Sequence, residues 1–341
     1  MRRYTFYIII IFIFALFIFL IDIAKARPDS HAPIGVMGEH GHKAGEMMLA
    51  YRFMAMDMRG LQSGTDAVAT ADVQKDFMMA PIAMDMRMHM FGAMFAPHDK
   101  ITFMGMTSYQ QRSMEMEGAH QHTTGHHDHP VGMHEMSSAG IGDVKLDSLL
   151  TLWKRHNFTF LGNVGVSFPT GSIAQQAEDG SILPYPMQLG SGSFEARPGV
   201  TFFGTRGNWS YGGQLRGTFP LNTNASEYRI GNMITATTWG ARRVNNWISL
   251  SARLLFSHKG SITGSHPDLD LNMSPSHRPD FQGFNRLDIG ISSNLIVPTG
   301  TLAGQRLAIE FMLPVYQNLT GTQLKSRWKL VLGWQYAFPL L

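Results

Sequence analysis

From about residue 46 to the C-terminus, stretches that alternate apolar and polar residues are joined by connections that are short and long in turn. A period of two places successive side chains on opposite faces of a strand. If short and long connections alternate without exception, all short turns gather at one end of an antiparallel sheet and all long loops at the other. Outer-membrane barrels are built this way, with short periplasmic turns and longer outer loops. The chain is therefore expected to be all-β, a transmembrane antiparallel up-and-down β-barrel of about twelve strands. They are predicted near 46–58, 82–95, 100–114, 143–153, 158–168, 194–204, 208–219, 232–242, 246–256, 284–296, 305–316 and 326–338. Both termini then belong on the short-turn, periplasmic side.

The faces carry the strongest physical constraint. In 305–316, Leu307, Ile309, Phe311 and Leu313 oppose Arg306 and Glu310, and in 284–296 Leu287, Ile289 and Ile291 oppose Arg286 and Asp288. A charge on the lipid face near mid-membrane costs about 2–4 kcal/mol. The charged faces should therefore enclose the lumen, and the residues predicted to line it are Arg52, Lys145, Asp147, Arg216, Arg253, Arg286, Asp288, Arg306, Glu310 and Lys329. A soluble sandwich would reverse the faces. It gives no reason for Phe95, Trp209, Trp247 and Tyr336 to cluster near the short turns, where a membrane protein places an aromatic girdle.

Residues 1–26 carry the marks of a secretory signal peptide: Arg2 and Arg3, an apolar stretch, then Ala24-Lys25-Ala26 as cleavage site. Residues 27–45 are expected as a periplasmic N-terminal segment and 46–341 as the barrel. Loss of the leader removes Arg2, Arg3, Lys25 and Asp22, which takes the net charge from +3 to +1. No clustered basic face remains, so nucleic acid is excluded as a partner. The chain has no Cys, which removes thiolate from any metal or nucleophile argument.

Met and His are concentrated in one third of the chain: 19 of 24 Met and 11 of 15 His lie between His31 and Gly140. Thioether sulfur suits Cu(I), and imidazole suits copper and zinc. The long loop 115–142 offers His120, His122, His126, His127, His129, Met133, His134 and Met136 as candidate ligands. The N-terminal segment adds His31, Met37, His40 and His42, on the opposite side of the membrane. Parity separates ligands from packing elsewhere. Met48, Met54 and Met56 share a face with Arg52, and Met104 and Met106 share one with Gln110 and Arg112, so both sets are predicted to face the lumen. Met84, Met86, Met88 and Met90 oppose Asp85, Arg87 and His89, and are predicted to face lipid.

Several stretches resemble a known family, the outer-membrane barrels of phenol meta-degradation pathway transporters. They are His31-Ala-Pro-Ile-Gly-Val-Met37-Gly38, the alternating Met run into His89-Met90, and Phe168-Pro-Thr-Gly-Ser172. Further on come Leu183-Pro-Tyr-Pro-Met-Gln-Leu-Gly190 with Pro198-Gly199, and Leu313-Pro-Val-Tyr-Gln317 through Gly321 to Trp334-Gln-Tyr-Ala-Phe338. The resemblance implies passage of small molecules, aromatic ones among them, and carries no catalytic residues. The chain departs from many such barrels in ending Phe338-Pro339-Leu340-Leu341 rather than on the aromatic residue read by the barrel-assembly machinery, an expected partner alongside outer-membrane lipid.

The leading expectation is thus an outer-membrane channel for small, aromatic or hydrophobic solutes, or for a metal-linked solute, with no required cofactor. The alternative is a surface protein that binds copper or zinc through loop 115–142. An enzyme is not expected. Ser257, His258 and Ser261 suggest a hydrolase, but no acid partner or oxyanion donor can be named beside them.

Overall fold

The computed structural model describes residues 27–118, 132–300 and 302–340. The expected leader, residues 1–26, lies outside them. The wall consists of β1 (Glu46–Gly64), β2 (Met79–His98), β3 (Ile101–Gly118), β4 (Gly132–Ile141), β5 (Val144–Arg155), β6 (Phe158–Phe168), β7 (Gly199–Arg206), β8 (Trp209–Pro220), β9 (Met233–Arg243), β10 (Ile248–Lys259), β11 (Phe284–Ile296) and β12 (Gln305–Pro339). Apart from β4 and β5, which do not pair with each other, neighbours in sequence pair antiparallel, and β12 pairs back onto β1 to close the ring.

Two of these strands change the count of staves. β4 and β5 both pair with β3, β4 along Tyr109 to Gly118 and β5 along Ile101 to Met106, so together they form one stave broken at Gly142-Asp143. β12 runs for 35 residues, but Arg306 to Leu319 pair with β11 and Leu324 to Pro339 with β1. It doubles back near Gly321, whose φ of +72° only glycine adopts freely. The wall therefore has twelve staves, as the alternating connections predict.

The greasy sides of these staves face outward. Leu250, Leu254, Phe256, Ile289, Ile291, Leu307, Ile309, Phe311 and Leu313 are exposed, whereas Arg253, Arg306 and Glu310 on the opposite faces are buried. Trp209 and Trp247 are exposed beside the short turns, with Arg242 stacked over the Trp209 ring.

One face assignment is corrected. Met84, Met86, Met88 and Met90 pair in register with Met58, Met56, Met54 and Arg52, all of which share the inward face. Asp85, Arg87 and His89 therefore point outward. The cause is strand length. β2 has 20 residues, whereas about 9–11 cross the hydrocarbon, so its half toward the long loops extends beyond the lipid. There water and ion pairs solvate outward charges: Arg59 lies 2.8 Å from Asp57 and 3.6 Å from Asp85. The parity argument assumed lipid along the whole strand.

A second correction concerns residues 27–45, expected as a periplasmic segment. They thread the interior of the barrel, with Asp29, Ala32, Ile34, Val36, Glu39 and His42 buried. The reason lies in hydrogen bonding. The wall presents polar side chains at this level, and an extended segment supplies the backbone groups that satisfy them.

Candidate solute chamber and its plug

The N-terminal segment can be followed through the barrel by its partners. Pro28 O accepts from Ser249 Oγ at 2.9 Å, and Ala32 O from Arg306 Nη2 at 2.6 Å. Ile34 O accepts from Arg52 Nε at 3.0 Å, and Met37 O from Gln214 Nε2 at 2.9 Å and Arg216 Nη1 at 3.3 Å. His42 N donates to Thr102 Oγ1 at 2.9 Å and Ala44 N to Asp99 Oδ1 at 2.8 Å. The segment thus touches staves all round the ring, at the end where the short turns lie. Gly35 marks the tightest approach. Its N–H donates to Glu310 Oε2 at 2.7 Å, and a Cβ there would collide with that carboxylate.

Most of the predicted lumen residues meet in this plugged half. Arg253 Nη1 pairs with the buried Glu310 at 3.2 Å. Asp147 receives Arg216 at 2.8 Å and Arg197 at 3.4 Å. Arg306 also donates to Asn294 and Gln335. Arg286 pairs with Asp288 at 3.0 Å. Lys329 stands beside Met56 on the inward face, and Lys145 beside Met106.

Toward the long loops the interior opens into a chamber of about 590 Å³. One wall is thioether: Met56 and Met58 of β1, Met84, Met86 and Met88 of β2, and Met114 of β3. Arg112 stands on this same wall, in register with Met86, and the rest of the described lining carries Lys145, Arg197, Lys259 and Arg286 with Asp143 and Glu195, Arg197 and Arg286 being paired to Asp147 and Asp288. A soft apolar surface therefore shares the chamber with cationic side chains.

The chamber is capped by loops that fold inward rather than out. Arg112 donates to the carbonyls of Pro186 and Gln188, and Ser138 Oγ to Met187 O at 2.7 Å, drawing residues 183–189 into the mouth. Met187 and Leu183 then pack on Met79, Met84, Met114 and Met116. Beside them Tyr185 meets Tyr228 edge-on, with ring centroids 5.0 Å apart, and accepts a hydrogen bond from His266 N at 2.9 Å. Burial in this cap pushes the Tyr228 hydroxyl up to about 12.

Of the eight predicted metal ligands, His120, His122, His126, His127 and His129 lie outside the described residues. Of the other three, His134 and Met136 share the inward face and Met133 takes the outer one. Met136 packs inward against the methionine cluster, His134 pairs in register with the inward Met116, and Met133 is exposed. Ser257 is buried, while His258, the next residue along the strand, takes the other face and bonds Asn285 at 2.7 Å, so they form no dyad. Sequence reasoning missed the plug contacts and the cap residues Tyr185, Met187 and Tyr228. A usable signal was the carbonyl-presenting, Gly- and Pro-containing stretch 32–38, set beside lumen arginines that lacked enough acidic partners.

A family model described as "Putative MetA-pathway of phenol degradation" matches residues 89–264, just over half of the chain. The chain is similar in structure to an outer-membrane channel of Pseudomonas putida F1, with a TM-score of 0.60 at 12% identity, covering 89% of this chain and 100% of that one. It also matches a monoaromatic hydrocarbon channel, the TodX deltaS2S3 mutant, with a TM-score of 0.45 at 8% identity, covering 87% and 91%. A search of curated proteins finds no match.

Proposed function

The protein belongs to the family described as "Putative MetA-pathway of phenol degradation" and has the fold of an outer-membrane channel, and from that premise we propose that it passes small aromatic molecules bearing a carboxylate or phenolate. The observation that carries this is the composite chamber, lined by thioethers together with an excess of cations. Thioether sulfur makes contacts of about 0.3–1.5 kcal/mol with aromatic rings, and its flexible chain adapts to differently shaped ones. Lys145 and Lys259 of the same lining offer a partner to an anionic substituent. Mixed charges rather than one ring of charge argue for a solute chamber over an ion-selective pore.

On this reading the short turns and the plug lie at the periplasmic end and the capped chamber at the cell surface. Solute enters past residues 183–189, rests in the chamber, and leaves when the N-terminal segment shifts. The test is uptake into proteoliposomes. Benzoate should enter faster than a neutral sugar of similar size and should saturate, and Lys259→Gln should narrow the difference. Equal rates for both solutes would overturn the proposal.

A further inference from the structure

The N-terminal segment holds a group of side chains that solute passage does not use. Within the barrel, His31, Glu39 and His40 present ligand-type atoms that all lie within 4.8 Å of one another. His40 Nδ1 is 3.0 Å from Glu39 Oε1 and His31 Nδ1 is 3.6 Å from the same oxygen. His42 stands next to them, its ring centroid 4.9 Å from that of His40. Two buried imidazole nitrogens, His40 Nε2 and His42 Nε2, have no hydrogen-bond partner, while His31 Nδ1 and His40 Nδ1 face the Glu39 carboxylate. A buried polar atom without a partner is costly, and two such atoms in a group gathered on one carboxylate point to a missing ligand.

We propose that His31, Glu39 and His40, with His42 as a further donor, form a site for a divalent borderline cation, Zn²⁺ or Cu²⁺. Imidazole nitrogen with one carboxylate oxygen is a donor set both ions take. Tetrahedral coordination at bond lengths near 2.1 Å needs ligand atoms about 3.4 Å apart, a closure within reach of side-chain rotation. Arg306, 3.8 Å from Glu39, and Arg52 are the nearby opposing charges. The Arg306 guanidinium is already engaged by Ala32 O, Asn294 and Gln335, which hold it to the wall. Because His31 and His40 bracket the stretch that crosses the lumen, a bound ion would close residues 31–40 into a ring and fasten the plug. The site is independent of the solute class proposed above.

The test uses the full-length folded protein with His120, His122, His126, His127, His129 and His134 all changed to Gln, so that no imidazole of loop 115–142 contributes. Titrated with zinc alone, this protein should bind about one equivalent. Adding His31→Gln and His40→Gln should weaken binding at least about 100-fold, while the heat-dependent gel mobility of the closed barrel stays unchanged. With copper in place of zinc, paramagnetic resonance should show coupling to at least two imidazole nitrogens. No zinc bound in the loop variant, undiminished binding after loss of His31 and His40, or a copper signal without nitrogen coupling would each overturn the site.

Discussion

The two halves of the lumen are built from the same twelve staves and filled by opposite means. In the short-turn half, arginines and carboxylates of the wall are met by backbone carbonyls and amides of residues 28–44. In the long-loop half the wall turns to methionine, and the filling consists of inward-folded loops around a chamber of about 590 Å³. Directional hydrogen bonds suit a part that must sit in one register. A thioether surface suits contents that vary in shape. On the proposed function, the difference gives closure to one half and recognition to the other.

The largest effect should come from removing the closure. Deleting residues 27–44 should raise conductance in planar bilayers at least about tenfold, because the plug contacts lie round the ring at that level. Next comes the contact at the centre of the plug. Glu310→Gln leaves Arg253 buried without its counter-charge, a change that costs about 3–5 kcal/mol, and also weakens the acceptor for Gly35 N–H. Amide exchange across residues 32–38 should accelerate by orders of magnitude, with the strands protected as before.

The chamber is probed more gently. Met86→Ser with Met88→Ser, both half-buried on its wall, should weaken benzoate binding about 2- to 10-fold per thioether and leave conductance of the plug-deleted form unchanged. A matching loss for a neutral sugar would remove the distinction between the halves.

The smallest effect is a pH dependence of the outer cap. His277, bonded to Ser274 at 2.8 Å, is pushed by burial down to about 4. An opened cap returns it to its ordinary value near 6.5, so the open form binds more protons between those values. The cap should be unaffected above pH 6.5 and loosen as pH falls from there toward 4. Amide exchange over 260–283 reports this, and His277→Gln should abolish it.

Much of the wall was legible because lipid imposes a simple rule on it. Parity placed Arg253, Arg306 and Glu310 inward, since an outward charge at mid-height has no solvent. The rule failed at Met84 to Met90, where the strand leaves the lipid and outward Asp85 pairs with Arg59. It was silent on residues 27–45, because a segment with neither period carries no face to assign. What holds that segment is its backbone, and backbone groups are the same in every residue. The cap was hidden for a related reason: Tyr185, Met187 and Tyr228 come from separate loops brought together only by the closed ring.

Whether the N-terminal segment closes the path can be measured directly, because the chain has no cysteine of its own. Ile34 lies against Gly333, where an added Cβ would touch it, so Ile34→Cys with Gly333→Cys should form a disulfide that ties the plug to the wall. Oxidised, this protein should take up benzoate at least about tenfold more slowly than the same protein after reduction. Equal uptake in the two states would show that solute passes without the segment moving and would contradict its role as the closure.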